Sequence, residues 1–527
     1  MNNKNTTLLL SGLTLLSTNL SAQNKNQRPN IIHIMTDDHA FQAISAYGHP
    51  LSKLVPTPNI DRLAKEGIIF QKAFVENSIS APSRATLLTG KYSHVHGQMR
   101  LGGGLKDSIP VFTEALQQNG YQTALIGKWH LNNDPKGFDF YKILHEQGDY
   151  YNPEFRTSET NGKYIREEGY ATTLITDHAI EWMQARNKDK PFCLLLHHKA
   201  PHRNWMPEEK YLNAFKNIEF PYPSTLFDDY SGRSKAAKTQ EMSILPDMSM
   251  SYDLKVDQLK DEEKTDWEKR DWEKAMTRMT PAQKKAWDEA YNEENEAFVK
   301  ANLQGEELLK WKYQRYIKDY MRCIKSVDDQ VGRVIKWLEA EGILDNTIIV
   351  YTSDQGFYLG EHGWFDKRFM YEESFRTPLI IRYPKLIKKG VQSQALVQNI
   401  DYAATYLNVA NITVPQDYQG KSLVPLFKGI TPTDWRKELY YQYYDYPAVH
   451  SVRKHYGIRT DRYKLIHFYG QGKGKDNGIN LNDWEFYDLK KDKNEMHNLY
   501  GVAKYAKIIT DLKVRLDKKR AEIKTIE

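Results

Sequence analysis

Four short strings in this chain follow apolar runs and carry residue types able to handle an anionic ester. They are Asp37-Asp38-His39, Gly127-Lys128-Trp129-His130, His198-Lys199-Ala200-Pro201-His202 and Ser353-Asp354-Gln355-Gly356. A fifth, Ser80-Ala81-Pro82-Ser83-Arg84, sets a hydroxyl beside a guanidinium. Pro82 fits the first turn of a helix and Thr89-Gly90 its end. Ser80 is then expected at a helix N-terminus, where free N–H groups and the dipole favour an anion. Arg84, one turn on, can face the same site. A lone Ser before Pro would more simply be an N-cap, so the string has to be weighed with its surroundings.

The elements that must position these groups are legible as apolar runs. Buried-strand candidates are residues 30–36 (NIIHIMT), 121–126 (YQTALI), 191–197 (PFCLLLH), 346–352 (NTIIVYT) and 378–383 (PLIIRY). Helical patterns, such as 59–66 and 316–341, fall between them, the alternation expected of a parallel α/β sheet. The first four candidates end at the four strings, and open α/β sheets bind ligands at the carboxyl ends of their strands. A solvated surface also carries charges, but not so regularly at strand exits. Carboxylates, Lys and His delivered to one edge describe an active site.

Residues 228–304 are rich in Lys, Glu, Asp and Trp and predict a helical insertion between the third and fourth strands, with a helix starting at Thr280-Pro281-Ala282-Gln283. Its Trp267, Trp272 and Trp287 are expected to pack the insertion down rather than to meet sugar. From about residue 435 the pattern changes. Residues 439–446 and 463–469 read as antiparallel strands, 470–478 as a Gly- and Lys-rich loop, and 503–523 as an amphipathic helix. The domains expected are a signal peptide over 1–22, a catalytic domain over 23–434 and a C-terminal subdomain over 435–527.

The chain has 527 residues, 40% hydrophobic and 27% charged, which fits a globular protein. A net charge of +6 spread over that length is unlike the basic stripe of a nucleic-acid binder. Lys4, the apolar run 8–16 and Ser21-Ala22 read as a signal peptide. The run is short of the about 20 residues a membrane span needs, so no integral membrane segment is expected. The only cysteines, Cys193 and Cys323, make neither a disulfide framework nor a zinc site. Cys193, inside an apolar run, is expected to be a buried small hydrophobe.

The string SAPSRATLLTG, residues 80–90, resembles throughout the signature of the type I sulfatases, Cys/Ser-x-Pro-Ser/x-Arg followed by a Leu-Thr-Gly helix end. Other family motifs occur in the same order. Asp37-Asp38 is similar to the first metal pair. Asp354-Gln355 is similar to the second, with Gln where Asn or His is usual. Gly127-Lys128-Trp129-His130, His202 and Lys367 match later motifs. The resemblance implies an alkaline-phosphatase-like α/β fold, with a large mixed or parallel central sheet flanked by helices and a smaller C-terminal antiparallel sheet. It also implies that Ser80 is oxidised to formylglycine by an anaerobic sulfatase-maturing enzyme, and that Asp37, Asp38, Asp354, Gln355 and residue 80 hold one metal ion. All-oxygen ligation favours Ca2+ over zinc. In the implied mechanism one hydroxyl of the hydrated aldehyde attacks sulfur. Arg84, Lys128 and Lys367 stabilise charge, His202 protonates the leaving oxygen, and His130 takes the proton from the second hydroxyl as sulfate departs.

The resemblance further points to exported bacterial sulfatases, periplasmic or extracellular, that act on sulfated glycans such as heparan-type chains and mucins, above all on 6-sulfated N-acetylglucosamine. Sulfated galactose or N-acetylgalactosamine is an alternative substrate. Within residues 443–450 (YYDYPAVH), Asp445 and His450 are the candidate sugar contacts. Two other readings remain open: a two-zinc phosphatase or phosphodiesterase of the related superfamily, disfavoured by Gln355, and a glycan-binding relative in which Ser80 is never oxidised.

Overall fold

The computed structural model describes residues 28–263, 265–473 and 477–526. The signal-peptide expectation and part of the 470–478 loop lie outside them.

A mixed sheet of ten strands runs through the larger part of the chain. At its centre are Asn30–Thr36, Phe192–His197, Gln122–Gly127 and Thr347–Ser353, joined in parallel register. These strands are buried on both faces, so they read in the sequence as unbroken apolar runs rather than as alternation. Ile32 and Ile34 face one core layer, built with the long helix Gly305–Ala340 and the helix Ala171–Ala185. Ile31, Met35 and Cys193 face the other, built with the helices Ser80–Thr89 and Tyr402–Val409. Cys193 is fully buried there, as expected of a small hydrophobe.

The fifth strand, Leu379–Arg382, departs from the parallel expectation and pairs antiparallel with Thr347–Ser353. No helical crossover separates the two. The intervening segment stays at the site end of the sheet as a loop, so the chain can only return in the opposite direction.

The long helices of the insertion lie in its second half. Residues 228–263 run mostly through loops and short turns before the helices Asp266–Arg278 and Pro281–Ala301. The predicted start at Thr280 is present as a capping box: Gln283 N–H donates to Thr280 Oγ1 (3.3 Å), and Thr280 N–H donates to Gln283 Oε1 (2.9 Å). Trp272 and Trp287 are buried as expected, but Trp267 is 36% exposed. The C-terminal part is a four-stranded antiparallel sheet, Glu438–Tyr443, His455–Thr460, Tyr463–Gln471 and Asn480–Asp488, packed under the helix Ala506–Glu522. Among the described residues no helix is long and apolar enough to cross a membrane.

Candidate active site

Backbone hydrogen bonds continue past the ends of the central strands and fix the loops that carry the site. His198 N–H donates to Met35 O, Lys128 N–H to His197 O, and Asp354 N–H to Thr36 O. Gly127 is required at one of these exits. Its φ is +106°, and a Cβ there would sit 1.9 Å from His197 O. The helix Ser80–Thr89 begins at Ser80 and ends in Gly90, whose left-handed backbone (φ +63°) closes the last turn through N–H to Thr86 O.

These elements converge. Ser80 Oγ donates to Asp37 Oδ1 (3.0 Å), the Lys128 ammonium pairs with Asp37 Oδ2, and Arg84 donates to Asp354 Oδ2 (3.0 Å). Lys367 Nζ reaches both oxygens of Asp38 at 2.7 Å, and His202 Nε2 lies 3.8 Å from Asp38 Oδ2. All three carboxylates are buried, and desolvation raises Asp38 to about 7 against the pull of Lys367.

Asp37, Asp38 and His202 offer ligand atoms within 4.8 Å of one another. Gln355 turns its amide nitrogen between Asp38 Oδ1 and Asp354 Oδ1, leaving its buried Oε1 without a partner. With a cation present the same side chain, rotated about its last bond, would present that orphaned oxygen. Three buried carboxylates and an unused amide oxygen therefore fit a hard divalent ion.

The two histidines have fixed tautomers. His202 Nδ1–H donates to Arg203 O (2.6 Å), which leaves Nε2 toward the site. Gln147 accepts from Lys128 through Oε1, so its amide nitrogen is the donor to His130 Nε2 at 2.8 Å. Burial, then the cations Lys128 and Lys367 among others, holds both imidazoles well below the usual histidine range.

A cavity of about 240 Å³ opens beside Ser80, His130, His202 and Lys367. The sequence reading missed several of its walls. Asp366 and Arg368, given no role there, form one of them together with the expected His450, with Arg368 Nε donating to Asp366 Oδ1 (2.9 Å) and His450 Nε2 3.4 Å from Asp366 Oδ2. Asp38, His130, Asp366, Arg368 and His450 all hold positive φ values, a clustering of backbone strain that marks functional sites and that no residue type announces. Lys199 also lines the cavity, with its ammonium over the Tyr150 ring.

Of the two expected sugar contacts, His450 faces this cavity and Asp445 does not. The Asp445 carboxylate accepts from Leu101 N–H (3.1 Å) and so anchors a rim loop. Tyr443 and Tyr444 are buried packing.

The sulfatase family model matches residues 29–412. The chain belongs to the sulfatase family. It is therefore a sulfuric ester hydrolase, of a family that uses formylglycine and a divalent metal. A second model, the C-terminal part of N-sulphoglucosamine sulphohydrolase, matches residues 360–522 of this sulfatase. An N-acetylglucosamine-6-O-sulfatase of Bacteroides thetaiotaomicron is 49% identical over 99% of this chain and 92% of its own. A human N-acetylglucosamine-6-sulfatase is 27% identical over 79% of this chain and 67% of its own.

Among solved structures, a protein in complex with its substrate D-glucosamine-2-N,6-O-disulfate superposes with a TM-score of 0.88, at 49% identity and over 94% of this chain and 98% of the other. A phosphonate monoester hydrolase of Agrobacterium radiobacter, at 20% identity and TM-score 0.67, covers 94% of this chain and 96% of its own and shares the fold. The fold is the alkaline-phosphatase-like one, with a mixed central sheet and a small C-terminal antiparallel sheet.

Proposed function

We propose that this sulfatase removes the 6-O-sulfate of N-acetylglucosamine or N-sulfated glucosamine in host or environmental glycans, through a formylglycine made from Ser80 and one Ca2+. The 49% identity with an N-acetylglucosamine-6-O-sulfatase along nearly the whole chain carries the substrate reading.

Asp37, Asp38, Asp354 and Gln355 would hold the ion, and an all-oxygen set suits Ca2+. Bound there, it would draw charge from the sulfuryl oxygens and help orient residue 80. Oxidised and hydrated, residue 80 would supply the attacking hydroxyl and a second one for expelling sulfate. Arg84, Lys128 and Lys367, already held by the carboxylates, are preorganised around the charge that grows on the sulfate.

His202 gives its Nε2 proton to the departing sugar oxygen, with Lys367 beside it. The incoming sulfate favours the protonated imidazole that this step needs. His130, kept neutral by burial and nearby cations, takes the proton whose removal releases sulfate. Asp366, Arg368 and His450, which line the cavity, would hold sugar hydroxyls. An anaerobic sulfatase-maturing enzyme is the partner the Ser-type signature calls for, and the apolar run 8–16 with Ser21-Ala22 supports export to the periplasm or beyond.

A panel of sulfated monosaccharides, with protein from a host that matures Ser80, tests the reading. Sulfate should be released from N-acetylglucosamine 6-sulfate, and Ser80→Ala should lose at least about a thousandfold of that activity while folding normally. Release from galactose 6-sulfate or an N-acetylgalactosamine sulfate, but not from N-acetylglucosamine 6-sulfate, would overturn the substrate assignment.

A further inference from the structure

The active-site cavity has a buried floor and an exposed rim. Ser80, Lys199, Lys367, Arg368 and His450 are buried, whereas Trp267, Asp271 and Lys274 stand exposed at its mouth. These three residues come from the inserted helix Asp266–Arg278 at positions i, i+4 and i+7, so they share one face. At about 240 Å³ the cavity is smaller than the ~300–1,000 Å³ of pockets that take drug-sized ligands, which suits a single sulfated sugar. The remainder of a glycan has to leave across the rim.

Trp267 is held there as a fixed surface. Tyr252 meets its indole edge-on at 5.4 Å and 77°, and the Arg203 guanidinium lies 5.5 Å from the indole centroid. Arg203 is itself locked by Asp253 (2.6 and 2.7 Å) and Glu268 (2.7 Å). Beside the indole, the exposed Asp271 lines the mouth and has no hydrogen-bond or salt-bridge partner among the described residues. Lys274, by contrast, is engaged by Asp149 at 3.4 Å. A rigid aromatic face next to an unused carboxylate is what a sugar ring needs, apolar C–H face on the indole and hydroxyls on the acid.

Resting on the substrate reading above, we infer that Trp267 and Asp271 form a second subsite for the sugar adjoining the one that loses sulfate. The inserted helix thus selects oligosaccharide over monosaccharide. The free carboxylate suits a neutral neighbour rather than a uronate.

The test compares kcat/KM of the full-length matured enzyme on N-acetylglucosamine 6-sulfate and on a disaccharide linking that sugar to a neutral hexose. Trp267→Ala should lower the disaccharide value about tenfold more than the monosaccharide value, mostly through KM, while Trp267→Phe retains most of the preference. Equal loss on both substrates, or no loss on either in a variant with wild-type thermal unfolding, overturns the inference. A wild-type enzyme that leaves both N-acetylglucosamine 6-sulfate and the disaccharide intact would instead sink the substrate reading on which it rests.

Discussion

Asp38 is the side chain at which metal affinity and catalysis can be separated from folding. It is fully buried, yet its two oxygens face Lys367 and the Gln355 amide rather than apolar core. Replacing it by Asn keeps the shape and removes a charge. Asp38→Asn is expected to lose the bound divalent ion, measured by elemental analysis of purified protein, together with at least about a hundredfold of sulfate release. A fully loaded and active variant would exclude Asp38 as a ligand. His202 gives a different signature. If its Nε2 protonates the leaving sugar oxygen, His202→Ala should cost about 10²–10⁴-fold on a sugar sulfate. The same variant should lose far less on a nitrophenyl sulfate, whose leaving group needs no proton. Equal losses on both would mean that His202 acts only in binding.

Strand exits and helix starts hold the site residues at working distance. Gly127 is the tightest of them, because its missing Cβ is what allows Lys128 to turn out of the strand against His197 O. Gly127→Ala should destabilise the protein by about 3 kcal/mol or more in denaturant unfolding, since it combines a backbone clash with a positive φ. A milder effect is expected in the insertion. Thr280→Ala breaks the capping box of Pro281–Ala301 and should cost about 1 kcal/mol, with little effect on monosaccharide turnover.

The two parts of the molecule meet near Glu76, a buried carboxyl that ties stability to pH. Its backbone oxygen accepts from Gln442 N–H of the C-terminal sheet, while its carboxylate accepts from Thr86 of the catalytic helix and from Ser93. Burial raises the Glu76 pKa from 4.5 to about 7. The folded state therefore keeps a proton that the unfolded chain releases above pH 4.5. Stability falls as pH rises from about 4.5 to about 7 and levels off above that, a loss on the order of 3 kcal/mol. Glu76→Gln should remove this share of the slope, leaving that of other raised carboxyls such as Asp38. The variant should be more stable than wild type at pH 8 and similar to it at pH 4.5, as read from denaturant midpoints across that range. An unchanged slope would show that Glu76 is ionised in the folded protein.

The order of apolar runs and the groups that follow them were determined by the sequence itself. Strands buried on both faces must be continuous and apolar, and the chain must turn polar where it leaves the sheet, so Asp37, Lys128, His202 and Asp354 stood out at the ends of legible elements. The same held for Ser80, framed by Pro82 and Gly90, and for the capping box at Thr280. The tertiary structure alone decided everything that depends on loops returning from far along the chain. Asp366 and Arg368 sit in an irregular segment with positive φ, where no periodicity marks a direction. Asp445 and His450 are five residues apart in one loop, yet one anchors Leu101 and the other faces the cavity. Trp267, Trp272 and Trp287 share one composition-rich insertion, but only packing against Tyr252 and Arg203 leaves Trp267 at the mouth. A side chain's type sets what it can bind. Which surface it meets is fixed by contacts between segments separated in the chain, and a local pattern carries no record of those.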